Sequence, residues 1–121
     1  MSKSDRELLE LAAKAAVVPA YWSTDGTLQA RPIFVVSAGG RHGTMPFEEE
    51  WNPLKNDCDA LRLAVKLGLI IDIDTEEHHT EIEFTSNYED KSLSEGHGFD
   101  ATAATRRAIV RAAASIGETL P

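Results

Sequence analysis

Six acidic side chains cluster in one stretch of the chain, and carboxylates at that spacing allow two kinds of chemistry. They are Asp72, Asp74, Glu76, Glu77, Glu81 and Glu83. Their oxygens could bind a hard cation such as Ca²⁺ or Mg²⁺, or they could dock on a basic protein surface. Carboxylates that face each other across strands repel by some tenths of a kcal/mol, a cost that solvent or a cationic partner relieves. A solvated sheet face, a docking face and a metal site therefore all stay open.

The neighbouring residues do not favour the metal alternative. His78 and His79 are adjacent, so on an extended strand their side chains point to opposite sides and cannot chelate one ion together. The sequence contains neither the spacing of an EF-hand loop nor a His-Glu-x-x-His motif. We therefore expect no metal site and no cofactor, and we take the six carboxylates as the candidate partner-binding residues.

Nucleophilic catalysis has little support in the sequence. Cys58 is the only cysteine, and Asp57 and Asp59 flank it, which opposes formation of a reactive thiolate. At helical spacing Cys58 shares a face with Leu61 and Val65, a pattern that predicts a buried core cysteine. We expect no catalytic residue and a protein that is not an enzyme.

The charge distribution restricts the class of partner. The chain of 121 residues has a formal net charge of −8, and residues 48–100 hold fifteen acidic and four basic residues. An excess of negative charge opposes direct binding to nucleic acid and to anionic membranes. A partner with a basic surface fits this chain better than either.

The composition also bounds the architecture and the compartment. The length suits one domain over residues 1–121. A single cysteine excludes an intrachain disulfide, the first ten residues are too polar for a secretory leader, and the longest apolar run, residues 67–71, is far too short for a membrane span. We expect a cytoplasmic protein.

The acidic residues are positioned by a predicted β-hairpin. Ile71 and Ile73 alternate with Asp72 and Asp74, and a second alternating run follows at residues 81–85. This pattern predicts one apolar face and one acidic face. The polar residues 75–80 form the expected tip, and the polar residues 87–98 are expected to form a loop.

Capping signals predict three helices. Ser4 and Glu7 form a capping box that opens a helix running to about residue 16, and Asn56 or Asp57 caps the second. Asp100 caps the third. Gly68 is expected to end the second helix in the left-handed conformation.

The faces of the last two helices can also be predicted. We expect Leu61, Ala64 and Val65 to be buried on the second helix, and Phe99 to act as a hydrophobic staple for the third. The third helix carries a group of arginines that should pair with nearby acids. They are Arg106, Arg107 and Arg111.

Two short strands are expected before the second helix, at residues 21–24 and 32–37, with a turn at Gly26 and a loop at residues 39–43. Trp51 is expected in the core. A pocket beside Tyr21, Trp22 and His42 would be the place for a small ligand or a substrate, which is the alternative to a protein-binding role.

The resulting order is α-β-β-α-β-β-α. Helices and hairpins are segregated, which predicts an α+β fold with an antiparallel sheet of about four strands packed against three helices. The sequence is equally compatible with a monomer and with a homodimer formed through a strand edge or the last helix, and a purely structural homo-oligomer is the third alternative.

Residues 51–54, with the sequence WNPL, are followed at residues 57–67 by DCDALRLAVKL. This block resembles small accessory proteins of tailed phages and prophages of the NinX type, and residues 107–114 are similar to that family's final helix. The resemblance implies a gene product of a phage or prophage that acts in a bacterial cytoplasm. Members often have glycine at the position of Cys58, which implies that this cysteine is not a shared catalytic group.

These expectations combine into one functional hypothesis. The acidic face docks on a basic surface of a host or phage protein, such as a nucleic-acid-binding machine, and through it inhibits that machine or host defence in the manner of an anti-CRISPR protein. Its on-rate and affinity would fall with salt.

Overall fold

The computed structural model describes residues 3–30, 35–38, 41–44 and 49–121. Within these ranges the protein is α+β, with three helices and antiparallel sheets, as the segregated pattern predicts. The elements are α1 (Asp5–Ala16), β1 (Ala20–Trp22), β2 (Leu28–Ala30), β3 (Val35–Ala38), β4 (Arg41–Thr44), β5 (Glu49–Glu50), α2 (Asp57–Leu67), β6 (Ile70–Asp74), β7 (His79–Ser86), β8 (Glu89–Gly96) and α3 (Ala101–Glu118).

The strands do not form the single sheet of about four strands that the pattern predicts. They form two three-stranded sheets, β1-β2-β5 and β6-β7-β8, and the pair β3-β4, all antiparallel. The predicted element order is also incomplete, because more strands lie on both sides of α2 than the pattern shows.

The largest difference is β8, which occupies most of the expected loop at residues 87–98. Asn87 and Tyr88 both have positive φ, 54° and 64°, as in the tight two-residue turns that match the twist of a hairpin. The chain therefore returns directly alongside β7. The pattern missed this strand because Leu93 is the only large apolar residue between Glu89 and Gly96.

Two expectations near residue 40 fall partly outside the described residues. The strand predicted at residues 32–37 overlaps β3, while residues 31–34 are not described. Of the loop predicted at residues 39–43, the described residues 41–43 belong to β4 and pair with β3. The loop prediction is wrong for those residues, because their backbone groups form a ladder whatever their side chains are.

The predicted helix caps are confirmed. The Ser4 hydroxyl accepts from the Glu7 amide at 3.2 Å, Asn56 accepts from the Asp59 amide at 2.9 Å, and Asp100 accepts from the Ala103 amide at 3.0 Å. Each satisfies one of the amides that a helix leaves without an internal acceptor. Gly68 ends α2 with φ of 65°.

The predicted buried face of α2 is confirmed for Ala64 and wrong for Leu61 and Val65. Leu61 and Val65 are exposed, and Cys58, on the same face, is exposed as well. The buried residues are Ala60, Leu63 and Ala64. Both faces of this helix carry apolar residues, and the face with two small alanines packs inward, since short side chains permit the closer approach to the core.

Phe99 is not a staple. It is fully exposed, and the residue that turns inward before α3 is His97, which is buried. Gly98 takes φ of 60° between them, a left-handed conformation that reverses the chain and swings Phe99 outward. The His97 Nε2 lies 2.8 Å from the hydroxyl of Thr80, which also contacts the Thr105 hydroxyl at 2.9 Å.

The core lies between the helices and one face of the β6-β7-β8 sheet. Ile82 and Phe84 of β7 point into it, against Ala108, Val110 and neighbouring small residues of α3. Trp51 packs on this core while partly buried, as expected of it. No helix in the described part of the chain is long and apolar enough to cross a membrane.

Candidate protein-binding face

The side of the β6-β7-β8 sheet that faces away from α3 is acidic. Strand alternation places Ile82 and Phe84 on the inner side and their neighbours Glu81 and Glu83 on the outer side. We call this outer side the acidic face. It consists of Ile70, Asp72, Asp74, His79, Glu81, Glu83, Thr85, Asp90, Ser92, Ser94 and Gly96.

The register brings four of the six predicted residues together. Asp72 of β6 is paired directly with Glu81 of β7, and Glu83 lies one pair further along, opposite Ile70. Asp74 is paired with His79. Directly opposed residues have Cβ atoms about 4.5–5.5 Å apart, so the Asp72 and Glu81 carboxylates are immediate neighbours.

Asp74 has a structural task in addition to its place on this face. Its carboxylate accepts hydrogen bonds from the amides of Glu76 and Glu77, both at 3.0 Å. The Glu77 amide is the main cause of a lowered pKa for Asp74, and the Glu76 amide and the two histidines add to it, against a smaller effect of desolvation. Asp74 therefore shapes the hairpin tip.

Glu76 and Glu77 lie at that tip rather than on the sheet. Both side chains are exposed, and in the described part of the chain neither makes a hydrogen bond or an ion pair. They extend the acidic surface past the end of β6. The structure thus divides the six predicted residues into four on the acidic face and two on the adjoining turn.

No lysine or arginine lies on the acidic face as described. The nearest basic residue of these strands is Lys91, which pairs with Phe84 and so points to the inner side. The arginines of α3 are engaged elsewhere, as the sequence predicts: Arg106 with Asp57, Arg107 with Asp5, and Arg111 with Glu95. The negative charge of the face is not neutralised by any of them.

Sequence reasoning missed one acidic member of the face. Asp90 lies on β8 opposite Thr85, whose hydroxyl donates to its carboxylate at 3.1 Å. Because residues 87–98 were expected to form a loop, Asp90 had no assigned side. The alternation of Asp90, Ser92 and Ser94 with Leu93 is the weak signal that could have found it.

The described residues offer no ready metal centre. They contain no group of three or more histidine, cysteine or acidic side chains placed to hold one ion. Among them, every buried side-chain nitrogen or oxygen has a hydrogen-bond partner. The carboxylates of the acidic face are spread along two strands in solvent rather than converging on a point.

Trp22 belongs to a separate structure beside α1. The Arg6 guanidinium lies over its ring, 4.1 Å from the centroid, and its indole N–H donates to Glu10 at 2.6 Å. A cleft of about 340 Å³ lies next to it, lined also by Leu9, Asn52 and Leu54. Tyr21 precedes Trp22 on β1 and is not part of the lining, and the His42 side chain lies outside the described residues.

These contacts make Trp22 an anchor between β1 and α1, since its one polar atom is already bonded and its ring face is occupied. The cleft beside it is lined by both apolar and charged side chains. Of the three residues that define the alternative pocket, the structure places Trp22 beside this cleft, and the small-ligand alternative stays a prediction.

Comparisons with protein-family models, with curated proteins and with solved structures each gave no match.

Proposed function

We propose that this protein is a non-enzymatic binding protein that docks through the acidic face on a basic surface of another protein. The observation that carries the proposal is the direct pairing of Asp72 with Glu81, with no cation beside them in the described structure. Like charges placed opposite each other weaken a sheet, so a sequence gains no stability from this arrangement. A basic partner would turn the repulsion into attraction.

The shape of the face supports a protein partner rather than a small ligand. It is one side of three neighbouring strands, with exposed carboxylates from β6, β7 and β8. Small-molecule sites are usually concave and bury most of their ligand, whereas standard protein interfaces extend over about 800 Å² on each partner. One end of the face borders a cleft of about 470 Å³, lined there by Ile70, Glu83 and Asp90 among others. The part around Asp72, Glu81 and Ser94 does not line that cleft, and a face that extends across three strands suits the second.

The electrostatics favour a fast and salt-sensitive association. Seven acidic residues lie on the face and its tip, and the whole chain carries −8. Complementary fields of this kind raise association rates and are screened beyond about 8–10 Å at physiological ionic strength. Exposed Ile70 and Thr85 give the same face a small uncharged area for close contact.

The partner that fits is a protein whose function requires a basic surface, and nucleic-acid-binding proteins carry such a surface. An acidic protein seated there excludes the nucleic acid. Together with the resemblance of residues 51–67 to phage and prophage accessory proteins, this supports a role in the bacterial cytoplasm as an inhibitor of a host or phage nucleic-acid machine, including a defence system.

The test is charge reversal within the face. We expect Asp72→Lys combined with Glu81→Lys to abolish partner capture, because the two lysines would face a basic surface. The pair of like charges is retained, so the sheet is no less stable than before. Asp74 is left unchanged, since replacing it would remove the acceptor of the Glu76 and Glu77 amides.

The matched control is Glu50→Lys combined with Glu89→Lys, which changes the net charge equally at exposed acids off the face. Tagged proteins are incubated with bacterial lysate at about 50 and 300 mM NaCl, and the captured partner is purified and tested for displacement by duplex DNA. A partner retained by the control, lost by the face variant and lost at high salt supports the proposal. Equal capture by all three proteins, or no partner at all, contradicts it.

A further inference from the structure

The second long strand of the acidic sheet, β8, is an open edge in the described structure. It pairs with β7 over all eight residues from Glu89 to Gly96, and no other described strand pairs with it. An edge strand presents a row of backbone donors and acceptors to solvent, and such a row can accept another strand.

The direction of the free backbone groups follows from two contacts. The His97 amide donates to the His78 carbonyl at 2.8 Å, so the odd-numbered residues of β8 bond to β7 and the even-numbered ones face outward. The Ser94 carbonyl does point outward, where it accepts from Arg111 at 3.3 Å. A carbonyl oxygen has two lone pairs, so it can accept a second bond from an added strand. Asp90, Ser92 and Gly96 share its direction.

The side chains of β8 are self-complementary in one antiparallel register. If Leu93 lies opposite Leu93 of a second copy, the outward-facing residues pair with each other, Ser92 with Ser94. On the inner side Lys91 then lies opposite Glu95, and by symmetry Glu95 opposite Lys91. Opposite charges in directly facing positions stabilise a strand pair, and so does a facing pair of apolar residues.

On the acidic face this register avoids new repulsion. Asp90 lies opposite Gly96, and serines meet serines, so no carboxylate faces another across the junction. The regular antiparallel ladder from residue 90 to residue 96 contains about eight backbone hydrogen bonds.

The other edge of the sheet has the opposite property. In the full-length antiparallel pairing of β6 with a second copy, Asp72 lies opposite Asp72, and Ile70 opposite Asp74. A facing pair of carboxylates destabilises that contact. Charged side chains on an edge strand are a common protection against unwanted pairing. In β6 the like charges would face each other, whereas in the β8 register Lys91 faces Glu95 and Asp90 faces Gly96.

A groove beside β8 also fits the added strand. It has a volume of about 550 Å³ and lies between the inner side of β8 and the first and last helices, with Leu8, Phe84 and Leu93 among its apolar lining. Lys91 also lines it and has no ion pair or hydrogen bond among the described residues. Glu95 is already bonded to Arg111, so a second copy's Lys91 would complete a three-residue network.

From these observations we infer that the protein forms a two-fold homodimer through β8, with Leu93 on the axis. The two sheets join into one of six strands, and the two acidic faces become one continuous surface. The contact is isologous, so it closes at two copies. This inference is independent of the proposed partner, because the residues that test it are different.

The sharpest test is Ser92→Pro, measured by sedimentation velocity from about 5 to 500 μM at 150 mM NaCl. The Ser92 amide faces outward, so proline removes no hydrogen bond to β7 but blocks the added strand. We expect the unchanged protein to dimerise as its concentration rises, Ser92→Ala to behave in the same way, and Ser92→Pro to stay monomeric.

Charge exchange tests the register. Lys91→Glu should weaken dimerisation about tenfold or more, because both facing pairs become repulsive, and Glu95→Lys should do the same. A mixture of Lys91→Glu and Glu95→Lys proteins should restore association, since each facing pair again joins opposite charges. Should Glu95→Lys fail to fold, the Lys91→Glu and Ser92→Pro results decide.

The inference is overturned if the unchanged protein stays monomeric to 500 μM, or if Ser92→Pro dimerises as strongly as Ser92→Ala. A dimer that survives Ser92→Pro but not the charge variants would also overturn it, because the edge ladder would then not be the contact.

Discussion

Asp25 organises the turn between β1 and β2 through a single carboxylate. It accepts from the hydroxyl of Ser23, from the Thr27 hydroxyl at 2.7 Å and from the Thr27 amide at 3.0 Å. These bonds favour the ionised form and lower the pKa of Asp25 from 3.8 to about 2, the Ser23 bond being the largest cause. Gly26 follows with φ of 89°.

A pKa that is lower in the folded than in the unfolded state stabilises the fold only while the group is ionised. The contribution of Asp25 is therefore complete above its unfolded pKa near 4 and is lost as the pH falls towards 2. We expect Asp25→Asn to be less stable than the unchanged protein at pH 5, with the difference disappearing by about pH 2.

Urea unfolding of both proteins at pH 5, 3 and 2 measures this difference, and an NMR titration gives the pKa of Asp25 directly. Glu76→Gln is the control, because the side chain of that exposed acid makes no bond among the described residues. A difference between Asp25→Asn and the unchanged protein that does not vary with pH would show that the carboxylate charge plays no part.

The prediction that Cys58 is buried is wrong, and the reason lies in the residues of α2 itself. Leu61 and Val65 gave α2 a second apolar stripe, which periodicity alone could not distinguish from the stripe of Ala60, Leu63 and Ala64. Side-chain size decided between them, because the face with alanines can approach the core more closely. Periodicity reports which residues share a face, not which face is buried.

At the scale of elements, the contact of α1 with α3 depends on the absence of a side chain. Gly117 is buried within α3, and a Cβ placed on it would lie 2.8 Å from the backbone carbonyl carbon of Leu11 and closer still to its oxygen. Backbone atoms cannot turn aside as a flexible side chain can. The two helices must move apart if the residue gains a Cβ.

We expect Gly117→Ala to lower the free energy of unfolding by about 1–3 kcal/mol, the usual cost of overpacking a core. Alanine favours a helix interior over glycine by about 1 kcal/mol, so the clash must exceed that gain for the prediction to hold. Urea denaturation followed by circular dichroism measures the result.

Gly96→Ala is the control for this substitution. Gly96 has no other atom within 4 Å of its would-be Cβ, and we expect a change within about 0.5 kcal/mol. If Gly117→Ala is as stable as Gly96→Ala, the close crossing of α1 and α3 is not present in solution.

At the scale of the whole molecule, charge opposes folding. The net charge is −8, and the acidic face concentrates part of it on one side of a single sheet. Self-repulsion of this kind destabilises the compact state and is reduced by salt. The protein should therefore be more stable at higher ionic strength.

We expect Asp72→Asn combined with Glu81→Gln to raise the free energy of unfolding by some tenths of a kcal/mol at low salt, since the directly opposed carboxylates are removed. The gain should shrink as NaCl rises from about 20 to 300 mM. Thermal and urea unfolding at both concentrations provide the measurement.

Asp57→Asn is the comparison, because Asp57 is bonded to Arg106 at 2.6 Å and its removal relieves no facing repulsion. We expect that variant to be unchanged or slightly less stable. Stabilisation by Asp57→Asn equal to that of the face variant would mean that net charge alone, rather than the opposed pair, is responsible.

Much of the local structure was determined by the sequence alone. Ser4, Asn56 and Asp100 begin helices because their side chains accept from amides three residues further along, an interaction that needs no tertiary contact. The alternation of Ile82 and Phe84 with Glu81 and Glu83 likewise determined that one side of the sheet is apolar and the other acidic.

The tertiary structure decided what depends on contacts distant in the chain. It placed Asp72 against Glu81 rather than another acid, because the register is set by the whole ladder. It made residues 89–96 a strand although their own pattern is weak, because β7 supplies the backbone partners. It also determined which face of α2 is buried and that Phe99 is exposed. Burial depends on the space that neighbouring elements leave, and not on hydrophobicity alone.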